Sequence, residues 1–297
     1  MRFLVTGCYG YIGSHVVAEL KNRNHQVYGI DCKLHNEYNE TVFKKCNYVC
    51  EENFIDKGIN EYLKVFSYDA VIHLAGSTSV PDSMNNPFEY TRNNVFGTKK
   101  ILDEIDTKHI IFAGTAASYE NASPYAQTKS IAEQIIRNNK KMGWTIFRFF
   151  NVCGSDGINR QLGPASHLIR IIAEYAVGKR DKLQVFGDDY DTRDGTCIRD
   201  YIHVIDLANA ICNAAEKGPI NSNFEELGSK KGWTVLEVIK EFEKAVGFSL
   251  NYTITNRREG DAIAAQAQNP SKLLKLQKSI RDMCLDQYNL ELKRHNQ

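Results

Sequence analysis

Tyr125 and Lys129, in the run Tyr125-Ala126-Gln127-Thr128-Lys129, stand four residues apart and are the pair in this sequence best suited to moving a proton. On a helix that spacing stacks a phenol and an ammonium on one face. A tyrosine near its ordinary pKa of about 10 is a poor base at neutral pH, and a neighbouring cation favours the phenolate and draws that value down. General acid/base chemistry is therefore expected of the two together. The spacing alone is common on surface helices, so its company matters. Ten residues before Tyr125, the run Phe112-Ala113-Gly114-Thr115 reads as the end of a strand, which puts a hydroxyl where open α/β sheets bind their ligands. Thr115 is expected to hydrogen-bond the same substrate oxygen as Tyr125, with Ser118 its nearby competitor.

A second constellation opens the chain. Gly7-Cys8-Tyr9-Gly10-Tyr11-Ile12-Gly13 follows one apolar run and begins an amphipathic one. Its first glycine permits a tight turn, its second lets backbone approach a diphosphate, and its third lets the helix pack closely on the strand. The amides and the positive end of the helix dipole then favour the diphosphate. Asp31 lies eighteen residues beyond Gly13, at the end of the next apolar run. A carboxylate there accepts hydrogen bonds from both ribose hydroxyls and repels a 2′-phosphate, so NAD is expected rather than NADP. A solvated turn aspartate beside Lys33 is the plainer alternative.

These residues need a sheet and helices to hold them. Short apolar runs at Phe3–Thr6, Val27–Asp31, Ala70–Ala75, His109–Gly114 and Thr145–Phe149 read as strands of a parallel sheet. Ile12, Val16 and Leu20 give the first connecting helix its apolar stripe, and prolines open two further helices, Pro87–Ile105 and Pro124–Asn138. After Gly154 the texture changes to Gly-, Asp- and Asn-rich loops with shorter helices at Ser166–Val177, Val204–Ala215 and Thr234–Ala245. The expected fold is α/β, a Rossmann doubly wound parallel sheet over residues 1–150 with a smaller C-terminal α/β substrate-binding domain over 151–297. The segment around 196–217 is expected to return to the first domain.

Composition removes other classes. The 297 residues carry a formal charge of +1 and a pI near 7.6, which gives no global field for nucleic acid or an anionic membrane. No apolar run is long enough to span a bilayer, and Met1-Arg2-Phe3-Leu4-Val5 lacks a signal-peptide core. The eight cysteines form no CxxC pair and no zinc spacing, so no metal is expected and a reducing, cytoplasmic setting suits them. A small molecule is the expected partner.

Glycine loop, Asp31, Thr115 and the Tyr125/Lys129 pair together resemble the extended short-chain dehydrogenase/reductases. Later segments narrow the resemblance to the UDP-glucose 4-epimerases within that superfamily. They are Arg148-Phe149-Phe150-Asn151-Val152-Cys153-Gly154, Val177-Gly178-Lys179-Arg180-Asp181, Phe186-Gly187-Asp188-Asp189-Tyr190 onward through Arg199-Asp200-Tyr201-Ile202-His203-Val204, and Arg257-Arg258-Glu259-Gly260-Asp261. The resemblance implies an NAD-dependent inversion at C4 of a UDP-hexose through a transient 4-keto sugar, with Thr115, Tyr125 and Lys129 catalytic. On the cofactor side it implies contacts from Gly7, Tyr9, Gly10, Tyr11, Ile12, Gly13, Asp31, Leu74, Ala75, Gly76, Asn94, Tyr125, Lys129 and Phe150, with Glu52 near the adenine. Asn151, Leu168 and Phe186 then line the uracil and sugar pocket, Arg199 and Arg258 grip the diphosphate, and Asp261 holds the uridine ribose. Thr78, Thr115, His167, Gln184 and Ala265 complete the implied substrate contacts.

The resemblance also implies a homodimer built on the two proline-led helices. Two departures stand out. The segment between Thr115 and Tyr125 is shorter than in that family, and small Ala265, or Gln266 under a one-residue shift, replaces a bulky tyrosine of some members. The small residue is expected to admit N-acetylated sugars. A 4,6-dehydratase, the nearest competing enzyme, needs an Asp-Glu pair after the threonine, where this chain has Ala116-Ala117. A catalytically silent NAD-binding module is the competing reading from another class.

Overall fold

The computed structural model describes residues 1–33, 39–159, 161, 165, 167–222, 224–258 and 261–295. Ser166, Glu259 and Gly260, singled out above, lie outside these. The chain divides into two units, Met1–Arg148 with Ala208–Glu225, and Phe149–Leu207 with Glu226–Gln297. The segment that belongs with the first part of the chain is thus Ala208–Glu225 rather than 196–217. Strand Ile198–His203 explains the difference, because it pairs with Asn151–Cys153, Gly232–Thr234 and Ala264–Ala265 of the second unit.

The large sheet has seven strands in the order Glu225–Leu227, Gly143–Phe149, His109–Thr115, Ala70–His73, Arg2–Thr6, Gln26–Ile30, Tyr48–Cys50. Arg2–Thr6 pairs in parallel with both Gln26–Ile30 and Ala70–His73, and the order reverses between these two. Such a switch point is where a doubly wound sheet opens to ligand. Phe3, Leu4 and Val5 are fully buried, as are Val71 and Ile72, which explains their continuous apolar runs in place of alternation. Each such side chain contributes roughly 1.5–3 kcal/mol by leaving water.

The five expected strands and the helix Pro124–Asn138 are present, the latter with the stated bounds. The expected helix Pro87–Ile105 is not one regular helix. It runs as Pro87–Tyr90, a π-helical turn Thr91–Phe96, and Gly97–Glu104. Widened turns of this kind re-aim side chains at functional sites, and Asn94 lies within it. In the second unit, helix Leu168–Ala176 packs on Val235–Val246 and Ile280–His295 around Ile169, Ile172, Phe242 and Cys284. No helix among the described residues is long and apolar enough to cross a membrane, and no group of His, Cys, Asp or Glu there is arranged to hold a metal.

Candidate active site

The strand Arg2–Thr6 runs into Gly7, whose φ of +69° suits glycine alone. A Cβ there would lie 2.9 Å from the Ala75 nitrogen, and one on Gly13 would lie 2.1 Å from the Gly7 oxygen. Helix Tyr11–Asn22 therefore packs against the turn with no room for a side chain between them. Gly10 precedes that helix and no side-chain oxygen caps it, which leaves the first-turn N–H groups to an anion. Tyr11 and Ile12 form that half-buried first turn.

Asp31 is 7% exposed, which disposes of the solvated-turn alternative. Its carboxylate accepts from the Tyr9 N–H at 2.9 Å and the Lys33 N–H at 3.0 Å, so it braces the glycine turn. Burial pushes its pKa up, and those backbone bonds oppose the rise. A carboxylate has about four lone-pair sites, so beside the backbone bonds from Tyr9, Lys33 and Cys32 it keeps accepting capacity for a ribose hydroxyl. The turn and the acid together fit a dinucleotide. Glu52, expected beside the adenine, is half-buried and pairs with Lys57 at 3.3 Å. Its neighbour Glu51 is the residue that reaches the glycine turn, accepting from the Tyr9 hydroxyl at 2.6 Å. The acid run gave no means of choosing between the two.

A buried relay sets the segment Leu74-Ala75-Gly76. The Ala75 N–H donates to Thr6 Oγ1 (3.2 Å), Thr6 Oγ1 meets His73 Nδ1 (2.7 Å), His73 Nε2 meets Thr98 Oγ1 (3.1 Å), and Thr98 donates to the Asn94 carbonyl (2.6 Å). Burial, with Lys129 second, holds His73 down to about 3, so it is neutral. The chain then closes with Nε2 carrying the proton and Nδ1 accepting from Thr6. Asn94 itself accepts from the Ser77 N–H at 2.8 Å and donates to the Ser77 carbonyl and Thr128 Oγ1. Gly76 is required beneath it, since a Cβ would lie 2.7 Å from Asn94 Oδ1. Thr78 follows on the exposed side of this segment.

Ser123 caps the helix Pro124–Asn138 by accepting from the Ala126 N–H, and Pro124 occupies its first turn. Tyr125 falls in that first turn, where the helix dipole favours negative charge. Thr115, at the end of His109–Thr115, hydrogen-bonds the Tyr125 side chain and accepts from the Ala117 N–H at 3.2 Å. Lys129 is 5% exposed, and its ammonium lies 4.2 Å from the centre of the Phe112 ring. The expected pKa direction at Tyr125 is reversed. Burial raises it, the Thr115 hydrogen bond lowers it less, and Lys129 is not among the charges that move it. Lys129 is itself pulled down to about 8 by burial, against the attraction of Glu133 one turn further on. Glu133 is fully buried and paired with Arg148 at 2.8 Å and Arg137 at 2.9 Å.

The short connection from Thr115 to the helix is tightly held. Ala116–Tyr119 form a 3₁₀ turn, Asn121 accepts from Ser130, and the Tyr119 ring lies 4.7 Å from the Arg148 guanidinium. Ser118 is buried in this turn and makes no hydrogen bond through its hydroxyl among the described residues. Thr115, rather than Ser118, is the hydroxyl that engages Tyr125.

The second unit gathers most of the remaining expected residues. Strands Gln184–Phe186 and Thr253–Thr255 run in parallel. Arg258 reaches back from the second to lie 4.8 Å from the Phe186 ring centre and 2.9 Å from Asp261. Arg199 approaches Asp261 at 3.6 Å and donates to the carbonyls of Ile198 and Ala262. Ala265 sits opposite Arg199 in the parallel pairing, and Gln266 is exposed. Asn151 hydrogen-bonds the Tyr201 side chain across paired strands. Phe150 donates its N–H to the Leu227 carbonyl. His167 is exposed and Leu168 half-buried at the start of helix Leu168–Ala176, and Gln184 is exposed. Nothing described ties His167 or Leu168 to the Arg258 cluster, whereas Gln184 shares a strand and its face with Phe186.

A parallel sheet ordered about its first strand, a glycine turn with a bracing acid, and a Thr-Tyr-Lys set at the fourth strand's neighbour define a dinucleotide-dependent enzyme of the doubly wound α/β class. The chain belongs to the NAD dependent epimerase/dehydratase family, which matches it over residues 3–225. It is 32% identical over 327 residues to the UDP-glucose 4-epimerase of Bacillus subtilis, a match covering 97% of this chain and 96% of that one. It is 34% identical over 333 residues to the bifunctional protein GAL10 of Pachysolen tannophilus, covering 96% of this chain and 48% of the relative, so it spans about half of that longer protein. Among solved structures it is similar to UDP-glucose 4-epimerase from Bifidobacterium longum in complex with NAD+ and UDP, with a TM-score of 0.90, 31% identity, and coverage of 100% and 99% of the two chains.

Proposed function

We propose that this protein is an NAD-dependent isomerase that inverts C4 of a UDP-hexose through a transient 4-keto sugar. The observation that carries the reading is the Thr115–Tyr125 hydrogen bond beside a buried Lys129, in a chain whose glycine turn and Asp31 suit NAD. When bound, NAD supplies a reversible two-electron acceptor for the sugar carbon. Tyr125 removes the proton from the C4 hydroxyl and returns it after the sugar has turned. Thr115 aligns that oxygen, and its hydrogen bond with the first-turn dipole offsets part of the burial that disfavours phenolate. Lys129, an ammonium at pH 7, supplies the local positive charge and holds the nicotinamide ribose. Arg199 and Arg258 anchor the diphosphate, with Phe186 as the aromatic wall of the uracil, so that only the sugar reorients.

Sugar choice rests on Ala265, a small residue beside Arg199, which leaves space for an N-acetyl group. Met84, Phe88 and Phe96 are 61%, 72% and 56% exposed, and Ile131 43%. Their clustering on the helical segments 80–104 and 124–138 supports a homodimer formed on that face. Eight unpaired thiols suit a cytoplasmic setting.

Incubation of the purified protein with UDP-galactose, and separately with UDP-N-acetylglucosamine, followed by chromatography, tests both levels. Interconversion of the glucose and galactose pair is expected, with the acetylated pair also turned over. A 4-keto-6-deoxy product would mean a dehydratase instead, and turnover of the non-acetylated pair alone would remove the Ala265 argument.

A further inference from the structure

Tyr190 lies between the segments already described and is used by none of them. It is 5% exposed, and its hydroxyl is buried without a hydrogen-bond partner among the described residues. A buried hydroxyl left unpaired is destabilising, so a phenol here, where phenylalanine would pack as well, calls for a partner in some other state. The ring is fixed from two sides. Gly187, at φ +79°, leaves no space for a Cβ, which would sit 2.6 Å from Tyr190 Cε2. Above the ring the Arg257 guanidinium lies 4.1 Å from its centre, itself pinned by Asp189 at 2.6 Å. Two adjacent arginines thus cover two aromatic rings, Arg257 on Tyr190 and Arg258 on Phe186. Asp261 is the charge that acts most strongly on the hydroxyl, with Arg257 and Arg199 opposing it.

Asp261 is occupied by Arg258 at 2.9 Å and Arg199 at 3.6 Å. The proposed function turns both guanidinium groups to a diphosphate, and this step would strip the carboxylate of its partners. We infer that Tyr190 is a positioning residue for the nucleotide, its hydroxyl donating to the Asp261 carboxylate when Arg258 leaves it for the diphosphate. The inference rests on that reading of Arg258. It accounts for a hydroxyl that is orphaned in one arrangement and satisfied in the other, and for an Asp261 that stays oriented toward the ribose while its ion pairs are given up.

Tyr190→Phe removes the oxygen alone. UDP binding by titration calorimetry on the NAD-loaded protein is expected to weaken about tenfold or more, the scale of a hydrogen bond to a charged group. NAD content is expected to stay at the wild-type value, and the melting temperature without UDP to stay level or rise, since an unpaired hydroxyl is removed and no protein contact is lost. In a cycle with Asp261→Ala, the tyrosine substitution should have little further effect on UDP affinity, because the two act as one. Unchanged UDP affinity, full additivity in the cycle, or a lower melting temperature without UDP would each overturn the inference. If the wild-type protein itself fails to bind UDP, the assignment of the Arg258 cluster falls first and Tyr190's role with it.

Discussion

Replacing Lys129 by methionine should stabilise the protein while disabling it. The ammonium is 5% exposed and its pKa falls from 10.5 to about 8, so keeping the charge buried at pH 7 costs about 3 kcal/mol. Methionine fills similar space without charge, and forfeits only the contact with Phe112, about 0.5–2 kcal/mol. The net gain of about 1–2.5 kcal/mol corresponds to roughly 2–10 °C for units of this size. The pH dependence carries the proof. Between about pH 8 and 10.5 the unfolded lysine holds a proton that the folded one has lost, so Lys129's own contribution to wild-type stability climbs with pH through that window. The mutant has no such group, and its advantage should shrink as pH rises from 7 to 10. Thermal unfolding of NAD-free protein across that range measures this, with turnover of UDP-galactose expected to fall at least a hundredfold. A mutant less stable than wild type at pH 7, or a difference that ignores pH, would refute the assignment of a strained buried charge.

Other consequences are read more directly. Gly13→Ala places a Cβ where only 2.1 Å separates it from the Gly7 oxygen, so NAD content after purification, measured by absorbance of released cofactor, should drop to near zero. Turnover in the NAD-loaded wild type should decline above about pH 8, as Lys129 loses its proton, and a rate still rising at pH 9.5 would exclude that role. Phe88→Glu, at a side chain 72% exposed, should convert a dimer to monomers in sedimentation velocity without loss of secondary structure.

The sheet was legible because its strands are buried on both faces and announce themselves as short apolar runs, such as Phe3-Leu4-Val5. Strand Tyr48–Cys50 was not legible, since it is a three-residue edge strand with mixed burial. The last helix, Ile280–His295, buries Ile280, Met283, Cys284 and Leu290 on one face, but Gln287 and Glu291 interrupt that face and Leu285 and Leu292 lie exposed, so the stripe is blurred in the sequence. In the π-helical turn Thr91–Phe96, Asn94 bonds Ser77 and Thr128, contacts that no local periodicity encodes. Spacing together with the strand-end Thr115 made the Tyr125/Lys129 pair legible, because helix geometry fixes which residues share a face. The direction of Tyr125's pKa was not given, because it depends on how much water the fold removes and on where Lys129's charge lies relative to Phe112 and Glu133. Tyr190 offered no signal at all, as an unpaired hydroxyl is a property of packing.

The reaction stands or falls on the Tyr125 hydroxyl. Tyr125→Phe, assayed for UDP-galactose turnover alongside UDP and NAD binding, should lose activity by a hundredfold or more while both ligands bind as in the wild type. Turnover within a few-fold of wild type would contradict the assignment of Tyr125 as the group that carries the proton.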